Sequence, residues 1–168
     1  MNPEIVYKTL QKIGIPYVKY DHPATPTVED ALPYWADIEA IHCKNLFFRN
    51  HKGNKHYLVI FSYRKQLNIK QLELLLKQGK LSFASEKRMR KYLGILPGSV
   101  SPFGLINDQE NHVIVYIDES LIRHERISFH PNLNTATLSI STKDFIKFLD
   151  FTGNTYHLIK FEEPEEMS

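Results

Sequence analysis

A chain of 168 residues, 42% hydrophobic and 12% aromatic, is long enough to bury a real core, is short for two ordinary domains, and excludes a disordered polymer. A formal net charge of +2 excludes binding of nucleic acid by bulk charge, so any such binding needs a local basic patch. The lone cysteine, Cys43, excludes an intramolecular disulfide and a multi-cysteine zinc site.

In chain order, Asn2 and Pro3 are expected as N-cap and first residue of a helix over residues 3–13, with Ile5, Val6, Leu10 and Ile13 as its apolar stripe and Gly14 as its stop. Residues 15–20 alternate and predict a strand, and the prolines of HPATP (22–26) stiffen a loop. Thr27 to Asp30 form a capping box for a short helix through Leu32, against whose continuation Pro33 stands. Residues 44–49 and 56–61 predict an antiparallel pair, and 68–76 an amphipathic helix stopped near Gly79. A short strand (81–84) precedes a helix over 86–93 capped by Ser85. After a glycine-rich stretch (94–107), strand 112–117 leads to a hairpin of 126–130 with 135–140. Thr142 is expected to cap a helix over 143–151, followed by a strand at 156–161. The predicted fold class is α/β, with a mixed, mostly antiparallel sheet surrounded by helices. One domain over 1–161 and a frayed acidic tail, 162–168, are expected. The N-terminus lacks a signal pattern and no apolar run nears the roughly 18–20 residues of a membrane span, so no membrane association and a cytoplasmic location are expected.

The stretch GILPGSVSPFGLIN (94–107) holds three glycines and two prolines with apolar residues interleaved. At its centre Gly98 permits close approach of a ligand to the backbone, and Ser99, Val100 and Ser101 offer three consecutive N–H donors before Pro102. Such a loop can cradle an oxyanion, a carbonyl or a sugar hydroxyl, or be only a tight helix-to-strand connection.

Four segments stand in a definite order: KNLF from Lys44, FASEKRM from Phe83, GSVSPFGL from Gly98 and FHPNLNTAT from Phe129. In this order and spacing they resemble the YbaK/prolyl-tRNA-synthetase editing-domain superfamily, within it the free-standing PrdX type, over about residues 3–161. The resemblance implies a YbaK-like fold and an enzyme that acts in trans. It would hydrolyse the ester joining a wrong amino acid, above all alanine, to the 3′-terminal ribose of tRNA-Pro. The need is physical: a synthetase pocket made for proline gains only about 1–3 kcal/mol of discrimination per missing methylene, and a second, smaller pocket supplies the rest. The implied partners are the tRNA-Pro acceptor end and, optionally, prolyl-tRNA synthetase. No cofactor is implied.

On this resemblance Lys44 holds phosphate or ribose, or assists water electrostatically; without it, Lys44 is an ordinary solvated strand end. Asn45 orients the substrate through its amide, or makes a strand-end hydrogen bond. The Gly98–Pro102 loop positions the scissile carbonyl through its N–H groups. Because an aminoacyl ester is already activated, positioned water suffices, and the family is thought to enlist the free ribose hydroxyl as well. Ser99 and Ser101 would be nucleophiles only beside a base. His130 shapes the amino-acid pocket, or is a strand-end histidine; Asn134 faces the pocket, or is with Asn132 a turn residue. Lys87, Arg88, Arg90 and Lys91 grip the acceptor stem, or form a solvated helix face. Tyr34 and Trp35 line the entrance or stack on the terminal adenine, or pack on the rim. The eight histidines show no ligand spacing such as HExxH, and no metal is expected. Rival readings are the same chemistry on cysteine or serine esters, a silent tRNA- or synthetase-binding module, and a small-molecule esterase using Ser99 or Ser101.

Overall fold

Strand β2, Ile41–Asn50, is the member around which the sheet is assembled. The structure, a computed structural model, describes residues 3–66 and 68–161. On one edge β2 takes β3 (His56–Ser62) antiparallel along its length. The other edge is shared between two strands. Its start runs parallel to β6 (Arg126–Phe129) at Ile41 and His42, and its end pairs antiparallel with β4 (Leu81–Phe83) from Phe48 to Asn50. Beyond β3 lie β5 (Val113–Asp118) and β8 (Tyr156–Ile159), both parallel; beyond β6 lie β7 (Ala136–Ser141) and β1 (Val18–Asp21), both antiparallel. Four of the seven pairings are antiparallel, the mixed sheet expected from the sequence.

Burial follows from strand alternation, which sends neighbouring side chains to opposite faces. One face carries Phe47, Leu58, Ile60 and Val115, packed with Phe103, Phe145 and Phe148 under α1 (Glu4–Lys12) and α5 (Thr142–Thr152). The other carries Phe48, Val59 and Phe61 against Leu72 and Leu76 of α3 (Ile69–Leu76). Each fully buried phenylalanine or leucine contributes about 1.5–3 kcal/mol relative to an exposed one. β3 is buried at every position, as a central strand between two covered faces must be.

Several local expectations are corrected. Helix α2 (Val28–Trp35) opens with the Thr27–Asp30 capping box but runs through Pro33. In a helix of eight residues, proline at the sixth position removes one N–H partner only, and the C-terminal end is held from outside by the His42 ring at the Trp35 carbonyl. Pro3 occupies the N-cap of α1, its carbonyl accepting from Val6 and Tyr7 N–H. The expectation for Asn2, and the tail 162–168, lie outside the described residues. β1 begins at Val18, because Ile15 is drawn back onto α1 by a hydrogen bond to the Leu10 carbonyl. Ser141, one residue before Thr142, caps α5: its hydroxyl accepts from Asp144 N–H, while the Thr142 hydroxyl donates to the His124 carbonyl. Helix α4 (Glu86–Leu93) is capped by Ser85, as expected, and is closed by Gly94 in the left-handed region. The second half of the glycine-rich stretch is a 3₁₀ helix, Pro102–Asn107, rather than loop.

Candidate active site

The shared edge of β2 leaves a break, and the site is built there. The His42 carbonyl accepts from Tyr63 N–H and Asn50 N–H donates to the Lys55 carbonyl. Residues of an antiparallel strand address their partner alternately, so the even-numbered residues of β2 face β3 and the odd-numbered ones the opposite edge. Phe47 spends its carbonyl on Ala84 N–H, at 2.9 Å. Asn45 lies past the last β6 partner and before the first β4 partner, so its main-chain N–H and C=O open into the break. Its side-chain Oδ1 is buried and has no hydrogen-bond partner among the described residues. Buried polar atoms without partners are rare, and this one sits on a residue that borders a cavity.

That cavity measures about 280 Å³. Its floor is β2 from Cys43 to Phe47, and its walls are α2 (Val28, Ala31, Trp35), the Pro97–Val100 turn, Met89 of α4, Phe83 and His130. The wall made by α2 is fastened by His42. Its ring lies parallel to the Trp35 indole, centroids 4.5 Å apart, and Nε2 donates to the Trp35 carbonyl at 3.3 Å. The other ring nitrogen therefore accepts from the Ser128 hydroxyl. Burial pushes His42 down to about 4, so the ring is neutral near pH 7.

Lys44 and Asn45 both border the cavity. The Lys44 ammonium donates to the Lys65 carbonyl at 3.1 Å and stands 5.9 Å from the centre of the Phe61 ring. Lys65 is itself buried, its ammonium 2.9 Å from both oxygens of Asp118. Asp118 also accepts from the N–H groups of Ser62 and Ser120. The sequence offers no local signal for this pair: 53 residues separate its members, and only the parallel β3–β5 register joins them.

Gly98 has φ +84°, and a Cβ there would lie 3.2 Å from both Cα and O of Pro26 and 3.5 Å from Asn134 Nδ2. Only glycine lets the loop press against the Pro26 backbone. The loop narrows as an N–H cradle relative to the sequence expectation. Ser99 N–H is spent on the Leu96 carbonyl at 3.2 Å. Ser101 is fully buried and caps the 3₁₀ helix, its hydroxyl accepting from Phe103 N–H. Gly98 and Val100 border the cavity; Ser99, Ser101 and Pro102 do not. No carboxylate or imidazole is hydrogen-bonded to either serine among the described residues, so the nucleophile reading has no base to rest on.

His130 is brought to the cavity wall. Its Nδ1 is 2.8 Å from the Ala136 carbonyl. A carbonyl only accepts, so Nδ1 carries the proton and Nε2 keeps a lone pair. Burial lowers its pKa, the Ala136 bond works against this, and nearby His22 adds to it. Asn134 stands behind Gly98: its carbonyl accepts from both N–H and hydroxyl of Thr25, joining the hairpin to the loop before α2.

The basic cluster on α4 divides. Arg88 turns inward, Nη1 donating to the Gly53 carbonyl and to His56 Nε2, both at 2.9 Å. It is thus a clamp on the β2–β3 turn rather than part of a free cationic face. Arg90 pairs with Glu86 at 3.0 Å. Lys87 and Lys91 are exposed, Lys91 over the Tyr92 ring. Of the two rim aromatics expected, Trp35 lines the cavity and Tyr34 stacks on His22. Met89 and Phe83, not singled out from sequence, also line it; their only signal was membership of the FASEKRM segment. Among the described residues no three His, Cys, Asp or Glu side chains are grouped to hold a metal, and no helix is long and apolar enough to cross a membrane.

A small cavity over a break in a sheet edge, walled by the short helix α2, is the geometry of a small-group binding site. The chain belongs to the aminoacyl-tRNA editing domain family, whose model matches residues 22–148. It is 37% identical over 159 residues to the prolyl-tRNA editing protein ProX of Acetoanaerobium sticklandii, covering 94% of this chain and 96% of that one. It is 32% identical over 157 residues to prolyl-tRNA synthetase associated domain-containing protein 1 of Xenopus laevis, covering 91% and 93%. Among solved structures, a protein described as a candidate trans-editing enzyme for prolyl tRNA synthetase superposes with TM-score 0.68 over 95% of this chain and 97% of that one. At 23% identity it speaks for the fold.

Proposed function

We propose that this protein is a trans-editing deacylase that hydrolyses the ester of mischarged tRNA-Pro, with alanine as the amino acid removed. The observation that carries the reading is the break at Asn45. A buried Oδ1 without a partner among the described residues, together with a main-chain carbonyl directed at the break, offers acceptors suited to an α-ammonium group. The apolar surround of Val28, Ala31 and Val100 suits a side chain as small as a methyl. The α-ammonium donates to these oxygens, and Val100 N–H stands at the loop where the ester carbonyl would lie. Water adds to the ester carbon, the bond to the ribose oxygen breaks, and that oxygen leaves as a hydroxyl with the proton taken from water. Neutral His130, whose Nε2 keeps a lone pair, bounds the amino-acid pocket. Lys44, anchored beside the cavity, supplies positive charge for the ribose–phosphate or the tetrahedral oxyanion. The relatives named for prolyl-tRNA editing support tRNA-Pro as the carrier. Action in the cytoplasm completes the proposal, with prolyl-tRNA synthetase as an optional partner.

Deacylation of Ala-, Cys-, Ser- and Pro-tRNA-Pro, with Ala-tRNA-Ala as control, tests it. Loss of Ala-tRNA-Pro alone is expected. Loss of a different ester would move the specificity, and no hydrolysis of any would overturn the enzyme reading.

A further inference from the structure

We propose that Phe83 is the platform on which the terminal nucleobase of the substrate's 3′ end stacks; this rests on the deacylase reading above. Phe83 lies on the cavity wall and is 54% exposed. Scattered exposed apolar residues are ordinary, but this one lies on the wall of the cavity. It is paired in register with Phe48, and the two rings stack with centroids 4.7 Å apart at 30°. Phe48 is fully buried, so one face of the Phe83 ring is fixed from below and the opposite face is left to solvent. Trp35, also on the wall, lies flat on His42, meets the Tyr63 ring at 5.6 Å and is half-buried where Phe83 is exposed.

The chemistry of the substrate requires such a surface. The ester oxygen and the base are carried by one five-membered sugar ring, so an aminoacyl group seated against Asn45 delivers its base to the cavity rim. An aromatic ring with one open face binds any base there, since every base has a π-face. The chain then turns at Ser85 into α4, which places exposed Lys87 and Lys91 after the platform, where the phosphates following the terminal nucleotide would run.

Base stacking on an aromatic side chain corresponds to roughly 5- to 150-fold in affinity. Phe83→Ala is therefore expected to raise KM for an Ala-charged acceptor minihelix by about tenfold or more with kcat little changed. Phe83→Trp should retain the wild-type KM. Phe83→Leu, which keeps apolar cover over Phe48 but has no π-face, should behave as the alanine variant and guards against a folding artefact. On the same minihelix ending in an abasic ribose, wild type and variants should share one KM. An unchanged KM in Phe83→Leu, or an equal loss on the abasic substrate, overturns the platform while leaving the deacylase intact. Failure of the wild type to hydrolyse either minihelix overturns both.

Discussion

The Lys44 ammonium and the Lys65 main-chain carbonyl are hydrogen-bonded at 3.1 Å, and the Lys65 side chain is in turn locked to Asp118. The charge nearest the cavity is thus aimed by a buried ion pair on the far side of a turn. Asp118 is fully buried and Lys65 is 5% exposed, so removing one partner strands a charge in the interior. Lys65→Met is expected to destabilise the protein by about 3–5 kcal/mol. The double variant Lys65→Met/Asp118→Leu should recover much of that, since apolar replacement of a buried pair is often near neutral. Urea unfolding measures both. In the double variant deacylation should still be impaired, because the turn carrying the Lys65 carbonyl has lost its anchor. Wild-type turnover there would separate Lys44 from this support.

Gly98→Ala forces an alanine into φ +84° with its Cβ 3.2 Å from the Pro26 backbone. The left-handed conformation alone costs about 1–2 kcal/mol outside glycine, and Pro26 must give way besides. A fall in unfolding temperature of several degrees is expected, together with a raised KM, because Pro26 and Gly98 both line the cavity. Ser101→Ala removes the acceptor for Phe103 N–H and should lower stability by about 1 kcal/mol. It should leave the chemical step in place, whereas a serine nucleophile would lose it. Single-turnover kinetics decide this.

Most of the fold was legible because local rules sufficed. The Thr27–Asp30 box, the Ser85 cap and the apolar runs of β2 and β3 each depend on residues within a few positions. The site was legible only in outline. Lys44, Asn45, Gly98 and His130 could be named by resemblance, but the break that exposes Asn45 arises from where β4 and β6 stop, a property of three strands together. Lys65, Asp118 and His42 belong to pairings between distant segments. Arg88 reads from sequence as one of four like cations; only the fold turns it onto Gly53 and His56.

The buried histidines set a pH dependence. Arg88 donates to His56 Nε2, so His56 Nδ1 carries the proton and donates to His112 Nε2 at 2.8 Å. Burial, then His112 and Arg88, push His56 down to about 4; His42 stands at about 4 through burial. Both folded values lie below the ordinary 6.5, so between these limits the unfolded chain binds more protons. Stability is therefore complete above about pH 6.5, falls as pH drops toward about 4, and falls no further from these groups below that. Both rings contribute to the loss, with solvent screening reducing the share of each. Urea titrations at intervals across that window should show the slope, and His42→Gln should flatten it by about one proton. A flat wild-type profile would mean that these rings are charged in the native state.

The division of the α4 cations yields opposite outcomes for neighbouring residues. Arg88→Ala removes donors to the Gly53 carbonyl and to buried His56, and leaving such groups unsatisfied costs about 1–3 kcal/mol. It should lower the unfolding temperature with little change in the salt dependence of tRNA binding. Lys87→Ala and Lys91→Ala alter exposed side chains and should leave stability within about 0.5 kcal/mol. Removing a cation that neutralises one phosphate reduces the slope of log affinity against log salt by roughly 0.7–0.9. Filter binding of deacylated tRNA-Pro across a salt series, beside thermal unfolding of the same variants, measures both. If Arg88→Ala instead flattens the salt slope at unchanged stability, its inward hydrogen bonds are dispensable and Arg88 rejoins the RNA-binding face; if Lys87→Ala and Lys91→Ala leave the slope untouched, the acceptor stem runs over a different surface.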